Sequence, residues 1–200
     1  MEAILKEDTA LPGTPTKRIS GFGKFALAVT GGIGLGLSVV CYSFLSPAFR
    51  KHCLPYVPAT TEQVKNVLSV LKKNAPGKLL DIGSGDGRIV IAACKHGIES
   101  HGVELNPWLV LYSKLDAYRQ GVWSKTKFFK RDLWNFKLDP YDYIVIFGVE
   151  KMMTDLEHKI SKEVRQGSKI IACRFPLPNL VPDKIIGSGV DTVWLYNMNK

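Results

Sequence analysis

The stretch Leu79-Leu80-Asp81-Ile82-Gly83-Ser84-Gly85-Asp86-Gly87 decides how this chain folds. An apolar run ends in an acid, three glycines follow at alternate positions, and a second apolar run, Ile89-Val90-Ile91-Ala92-Ala93, begins soon after. That order reads as strand, tight turn, helix, with a backbone bare enough for a ligand to approach closely. A dinucleotide fingerprint needs G-x-G-x-x-G, so that a pyrophosphate sits on the helix N-terminus. Counted from Gly83, the sixth position is Arg88, so the pattern is G-x-G-x-G and the dinucleotide fingerprint fails.

Working outward, strands and helices alternate. Thr60 with Gln63 forms a capping box for a helix that carries Val64, Val67, Leu68 and Leu71 and stops at Asn74-Ala75-Pro76-Gly77. A strand over 78–82 precedes the glycine turn, and a helix over 88–96 follows it. Further strands are expected at 98–105, 126–130, 143–147, 169–173 and 192–196. One helix begins at Asn106-Pro107 and ends before Gly121, and another covers 150–165 with Met153, Leu156, Ile160 and Val164 on one side. This alternation implies a mostly parallel sheet covered by helices on both faces. Ligands of such sheets bind beyond the carboxyl ends of the strands, at the topological switch point. The expected site is therefore Asp81 to Gly87, then Glu104, Asp132, Phe147-Gly148 and Arg174-Phe175-Pro176. Glu104, 17 residues after Gly87, is placed to accept the hydroxyls of a ribose. Trp108 and Trp134 either flank a base or fill the core.

The N-terminal quarter is different in kind. Residues 25–45 hold no charge over 21 positions, bracketed by Lys24 and by Arg50-Lys51. As a helix this segment is about 31 Å long, close to the hydrocarbon thickness of a bilayer. Gly31, Gly32, Gly34 and Gly36 weigh against a buried soluble helix, where each glycine costs about 1 kcal/mol relative to Ala. Membrane helices tolerate glycine well. A cleaved secretory signal has a shorter apolar stretch, and a mitochondrial presequence is Arg-rich and poor in acids, unlike a start containing Glu2, Glu7 and Asp8. The segment therefore reads as an uncleaved anchor, dividing the chain into a tail (1–24), a membrane helix (25–45), a linker and pre-motif loop (46–60) and a catalytic domain (61–200).

The net charge of +9 is carried almost wholly beyond the anchor, where 23 basic residues face 15 acidic ones. That balance suits an anionic membrane, an RNA or a basic compartment. The run Lys125 to Arg131 alternates like a strand rather than an RNA-binding tract. Cys41, Cys53, Cys94 and Cys173 are scattered, with no C-x-x-C and no histidine at metal-ligand spacing, so neither a disulfide framework nor a metal site is expected.

G-x-G-x-G with an acid two residues upstream resembles motif I of the class I S-adenosylmethionine-dependent methyltransferases. The likeness narrows with Pro55-Tyr56-Val57-Pro58-Ala59-Thr60, Glu104-Leu105-Asn106-Pro107-Trp108, Ile146-Phe147-Gly148-Val149 and Ala172-Cys173-Arg174-Phe175-Pro176. Together with motif I these resemble the mitochondrial protein-lysine methyltransferases that act on the ATP synthase c subunit and the adenine nucleotide translocase, with wording nearer the former. The resemblance spans about residues 22 to 197. It implies a seven-strand, Rossmann-like α/β domain behind one membrane helix, and S-adenosylmethionine as cofactor. Asp81, Gly83, Ser84, Gly85, Gly87, Glu104 and Asp132 are the expected cofactor contacts: Asp81 toward the ammonium, Glu104 toward the ribose, Asp132 toward the adenine amino group. It further implies a mitochondrial inner-membrane location, contact with membrane lipid and a lysine in a membrane-protein partner as substrate.

Methyl transfer to lysine is an in-line displacement that needs a neutral amine, and the free amine titrates near 10.4. Alignment in a dry site supplies much of the rate. Phe147-Gly148 stands where enzymes acting on planar nitrogens carry Asn/Asp-Pro-Pro-aromatic, which weakens a nucleobase or glutamine substrate. Tyr56, Phe147 and Arg174 are the candidates for lining a lysine channel. A membrane-tethered RNA methyltransferase and a non-catalytic scaffold are the competing expectations.

Overall fold

The structure is a computed structural model that describes residues 20–45 and 56–198. The chain divides into two compact units, 1–39 and 40–200. Most of the expected tail and most of the linker lie outside the described residues. Helix α1 runs from Gly21 to Leu45. Within it, Gly21–Tyr42 forms a 22-residue apolar stretch of mean hydropathy 1.8, none of its most apolar window buried.

The second unit follows the alternation read from the sequence. Its elements are α2 (Thr61–Ser69), β1 (Lys78–Ile82), α3 (Arg88–Lys95), β2 (Glu99–Glu104), α4 (Pro107–Arg119), β3 (Thr126–Lys130), β4 (Tyr143–Phe147), α5 (Glu150–Glu163), β5 (Lys169–Cys173), β6 (Lys184–Ile186) and β7 (Val193–Asn197). They build a seven-stranded sheet in the order β3-β2-β1-β4-β5-β7-β6. β1 to β5 are parallel, while β7 runs antiparallel to β5 and β6 antiparallel to β7. The order reverses between β1 and β4, so a crevice opens beyond their carboxyl ends. In register, Ile82 lies beside Val103 and Ile146, Glu104 beside Lys130, and Phe147 beside Cys173. Every strand end expected to carry the site therefore arrives at one rim.

Period-two alternation sorts the central strands onto two cores. Leu80, Ile82, Ile144, Ile146, Ile170 and Ala172 pack with Met153, Leu156 and Ile160 of α5. Leu79, Val145, Ile171 and Cys173 pack with Val67 of α2 and with Ile89 and Ala93 of α3. Asp81 follows Leu80 and precedes Ile82, so alternation turns it toward the α2/α3 side.

Three expectations need correction. The helix at 61 ends at Ser69, with Val70 as C-cap, rather than continuing to Asn74. The capping box is only half formed: Thr60 Oγ1 accepts from Gln63 N (3.0 Å), but the Gln63 side chain donates to Val190 O (3.0 Å) instead of turning back. β6 was not foreseen among the elements. It is three residues long and mostly exposed, bounded by Pro182 and Gly187, too short for a pattern of period two to show.

Candidate functional site

The rim is built from backbone first. Gly83, Gly85 and Gly87 hold φ of +76°, +53° and +81°, a region that L-residues rarely adopt. Gly85 also lies under an aromatic ring: a Cβ there would stand 2.9 Å from Cε2 of Tyr56. At Gly87 it would meet Phe128 and Ser113 at 2.8 Å. The loop is thus shaped twice, by its own dihedrals and by close neighbours. Gly102, on β2 beneath it, leaves room for the Ser84 side chain, which a Cβ would approach to 2.5 Å.

Two carboxylates frame the loop in opposite ways. Glu104 is half-buried and already engaged with main chain: Oε2 accepts from Gly85 N (3.1 Å), and Oε1 accepts from Leu105 N and Asn106 N (2.7 Å each). It ties the glycine turn to the start of α4, where the Asn106 side chain caps Trp108 N (2.9 Å) and Pro107 takes the first position. Asp81 is 1% exposed, and its Oδ1 has no hydrogen-bond partner, nor has Ser84 Oγ. Burial first, then the charges of Glu104 and Asp86, push the Asp81 carboxyl up to about 8. Buried polar atoms are rarely left unpaired in folded proteins. An unpaired carboxyl oxygen and hydroxyl under a nucleoside-type glycine loop are suited to a ligand that brings a cation and donors of its own.

Asp132 follows β3. Its Oδ1 accepts from Trp134 N (3.1 Å) and caps a short 3-10 turn over Leu133–Asn135. Trp134 packs partly buried against the α5-side core, whereas Trp108 is 38% exposed at the start of α4. The choice left open for these two tryptophans thus divides between core and surface.

On the β4–β5 side the site is made of side chains. The Arg174 guanidinium sits 5.5 Å above the centre of the Phe147 ring. Arg174 adopts φ +70°, one of two non-glycine residues with positive φ among those described, and its N donates to Thr192 O (3.1 Å). Such a conformation costs an L-residue free energy and persists only where surroundings hold it. Phe147 O lies 3.3 Å from where a Cβ on Gly83 would stand, so this pair adjoins the glycine loop.

Tyr56 belongs to the same rim but arrives from the N-terminal side. Residues 56–60 form a strap without regular secondary structure, and Arg88 Nη1 donates to Ala59 O within it. Arg88 also pairs with Asp86, Nη2 to Oδ2 at 2.5 Å and Nε to Oδ1 at 3.0 Å. Burial raises the Asp86 carboxyl, but bonds from Arg88 and Tyr56 outweigh it and hold it below the usual range. Burial and the Asp86 carboxylate together push the Tyr56 phenol up to about 12, so it keeps its proton at neutral pH. The sequence reading missed this Asp86–Arg88 clasp. Its signal was present, since Arg88 is the residue that replaces the third glycine of a dinucleotide loop.

Comparisons with known proteins point to a family. A family profile described as the ANTKMT methyltransferase domain matches residues 81–184. A second, the N-terminal domain of the ATP synthase c-subunit lysine N-methyltransferases, matches residues 16–50. The chain is 50% identical over 194 residues to an ATP synthase c-subunit lysine N-methyltransferase of Xenopus laevis, covering 97% of this chain and 85% of that protein. It is 39% identical to the adenine nucleotide translocase lysine N-methyltransferase of Mus musculus, over 84% of this chain and 75% of that protein. Among solved structures, an RNA methyltransferase from Salinibacter ruber in complex with S-adenosyl-L-homocysteine superposes with a TM-score of 0.68 at 26% identity, over 72% of this chain and 95% of that one. A class I fold that leaves a buried carboxyl oxygen unpaired beside its glycine loop, with relatives this similar over nearly the whole length, has one reading: the chain belongs to the S-adenosylmethionine-dependent protein-lysine N-methyltransferases.

Proposed function

We propose that this enzyme methylates a lysine of the ATP synthase c subunit at the mitochondrial inner membrane, with α1 as a single-pass anchor and the catalytic domain on the matrix side. The observation that carries the reading is the match of residues 16–50 to the N-terminal domain of the c-subunit enzymes, joined to 50% identity with one of them along the chain. The apolar, unburied α1 supports the anchor.

Gly83, Ser84, Gly85 and Gly87 cradle the cofactor in this reading. Asp81 would hold its ammonium, Glu104 its ribose hydroxyls and Asp132 its adenine amino group. The cofactor supplies an electrophilic methyl group on a sulfonium. What remains for the protein is to align a neutral lysine amine with that methyl and to keep water out. Phe147 offers the amine an apolar wall, and the Arg174 cation above it disfavours a second positive charge nearby, easing loss of the lysine proton. Tyr56, held protonated, donates a hydrogen bond and covers the loop but cannot act as a base at neutral pH.

Mitochondrial membranes incubated with the enzyme and labelled cofactor test the assignment. Label that survives nuclease, is lost on protease treatment and maps by mass spectrometry to a c-subunit lysine is the expected result. Label on the translocase moves the enzyme to the sister branch, and label lost with nuclease ends the protein-substrate reading.

A further inference from the structure

Helix α4 carries large apolar side chains on its outer side as well as on its buried one, among Lys114, Asp116 and Arg119. Leu109, Val110 and Ala117 are buried, and Val110 and Ala117 pack with Phe128 of β3. Leu111, Tyr112, Leu115 and Tyr118 recur on the opposite side at helical spacing, and all are exposed, Tyr118 by 73%. Trp123, in the short turn that follows, continues the stripe at 52% exposure. Large apolar and aromatic side chains exposed together on the outer side of a helix whose other side is already buried mark an interaction surface.

Composition and charge identify what covers it. Three of these five side chains are Tyr or Trp, the types enriched where a hydrocarbon layer meets water. Along α4 and the turn after it three basic residues, Lys114, Arg119 and Lys125, stand against a single acid, Asp116. Asp116 is itself engaged with Gln120 Nε2 (2.7 Å). Arg119 and Lys125 are exposed, Lys125 just before β3, the edge strand of the sheet. An apolar, aromatic stripe set in positive charge is the chemistry of an amphipathic surface on anionic lipid. A second copy of this chain would bring the same positive charge to the face.

We propose that the outer face of α4 and the turn through Trp123 is a second membrane contact, which lays the catalytic domain on an anionic bilayer surface. The proposal rests on the anchor reading of α1, because a chain whose helix enters a bilayer confines its following domain to that surface. It goes beyond that reading by assigning lipid contact to a face of the enzyme domain itself. A domain laid flat has its crevice at a fixed height, which suits a substrate lysine at a membrane surface.

The test uses the full chain reconstituted into vesicles of phosphatidylcholine with or without phosphatidylglycerol, carrying acyl chains brominated near the headgroup. Expected is quenching of tryptophan fluorescence that grows with the anionic lipid. Trp123→Phe should remove a large share of it, whereas Trp194→Phe, on β7, should leave it. Leu115→Glu should reduce Trp123 quenching while the protein still floats with the vesicles. Vesicle-bound protein whose quenching is unchanged by Trp123→Phe overturns the proposal and leaves the anchor standing. Protein that does not float with vesicles overturns both. A Trp123 signal that responds to protein concentration and ignores bromine makes the face a self-association surface and also overturns it.

Discussion

On the β1–β2 side of the crevice the rim is a backbone turn, fixed by three positive φ angles and by the Glu104 carboxylate bonded to three main-chain N–H groups. On the β4–β5 side they are side chains, Phe147 and Arg174, stacked on one another, with Tyr56 crossing from a separate strap. The first arrangement suits a ligand that is always the same. The second can be altered by one substitution without disturbing the sheet, as a substrate-selecting wall requires.

The contrast breaks most sharply at Gly87. Gly87→Ala combines an unfavourable φ with contacts to Phe128 and Ser113, and should cost about 2–4 kcal/mol of folding stability in chemical denaturation, with loss of S-adenosylhomocysteine binding. Gly121→Ala is the control: its φ is +71° but nothing lies within 4 Å, so about 1 kcal/mol is expected.

Asp81 acts through pH rather than through sterics. Its folded value of about 8 exceeds the ordinary 3.8, so the folded chain retains a proton that the unfolded chain has released. Stability therefore falls as pH rises from near 4 toward 8, by at most about 1.4 kcal/mol per pH unit, and levels off above. Asp81→Asn should flatten that slope in urea titrations and make the ligand-free protein more stable than wild type at pH 8. If a ligand ammonium meets Asp81, S-adenosylhomocysteine binding releases a proton. Calorimetry in buffers of different ionisation enthalpy detects that release in wild type and should find none in the variant.

Glu104→Ala should weaken S-adenosylhomocysteine by about 1.5–3 kcal/mol, through lost charge-assisted hydrogen bonds, with a smaller effect on folding. An unchanged dissociation constant removes Glu104 from the site. The smallest effect is expected at Arg174. Arg174→Gly keeps the positive φ and deletes the cation over Phe147, so cofactor binding should hold while kcat/KM for the lysine substrate falls by about 1 kcal/mol. A weaker cofactor with unchanged turnover would place Arg174 on the wrong flank.

This division also explains what the sequence made legible. Glycines at alternate positions, an acid at a strand end and Asn-Pro at a helix start each force a local backbone state, so β1, the loop, Glu104 and α4 could be placed from residues alone. Phe147, Arg174 and Tyr56 could only be nominated, because their meeting depends on register across β4 and β5 and on a strap from outside the sheet. The partnership of Thr60, Gln63 and Asn66 with Val190 and Asp191 was not legible at all. It joins positions more than 120 apart in the chain, and Thr60 and Gln63 already had a satisfying local explanation as a capping box.

That same clasp bears on how the enzyme is made. Thr60 Oγ1 donates to Asp191 Oδ1 at 2.5 Å, and Asn66 Nδ2 donates to Asp191 O at 3.0 Å. Asp191 leaves the ribosome more than a hundred residues after Gly87. These two bonds therefore wait for the end of the chain, whereas Arg88 can hold Ala59 O as soon as both have been made. The strap bearing Tyr56 is thus tied from both ends of synthesis, once to the glycine turn made soon after it and once to the turn before the last strand.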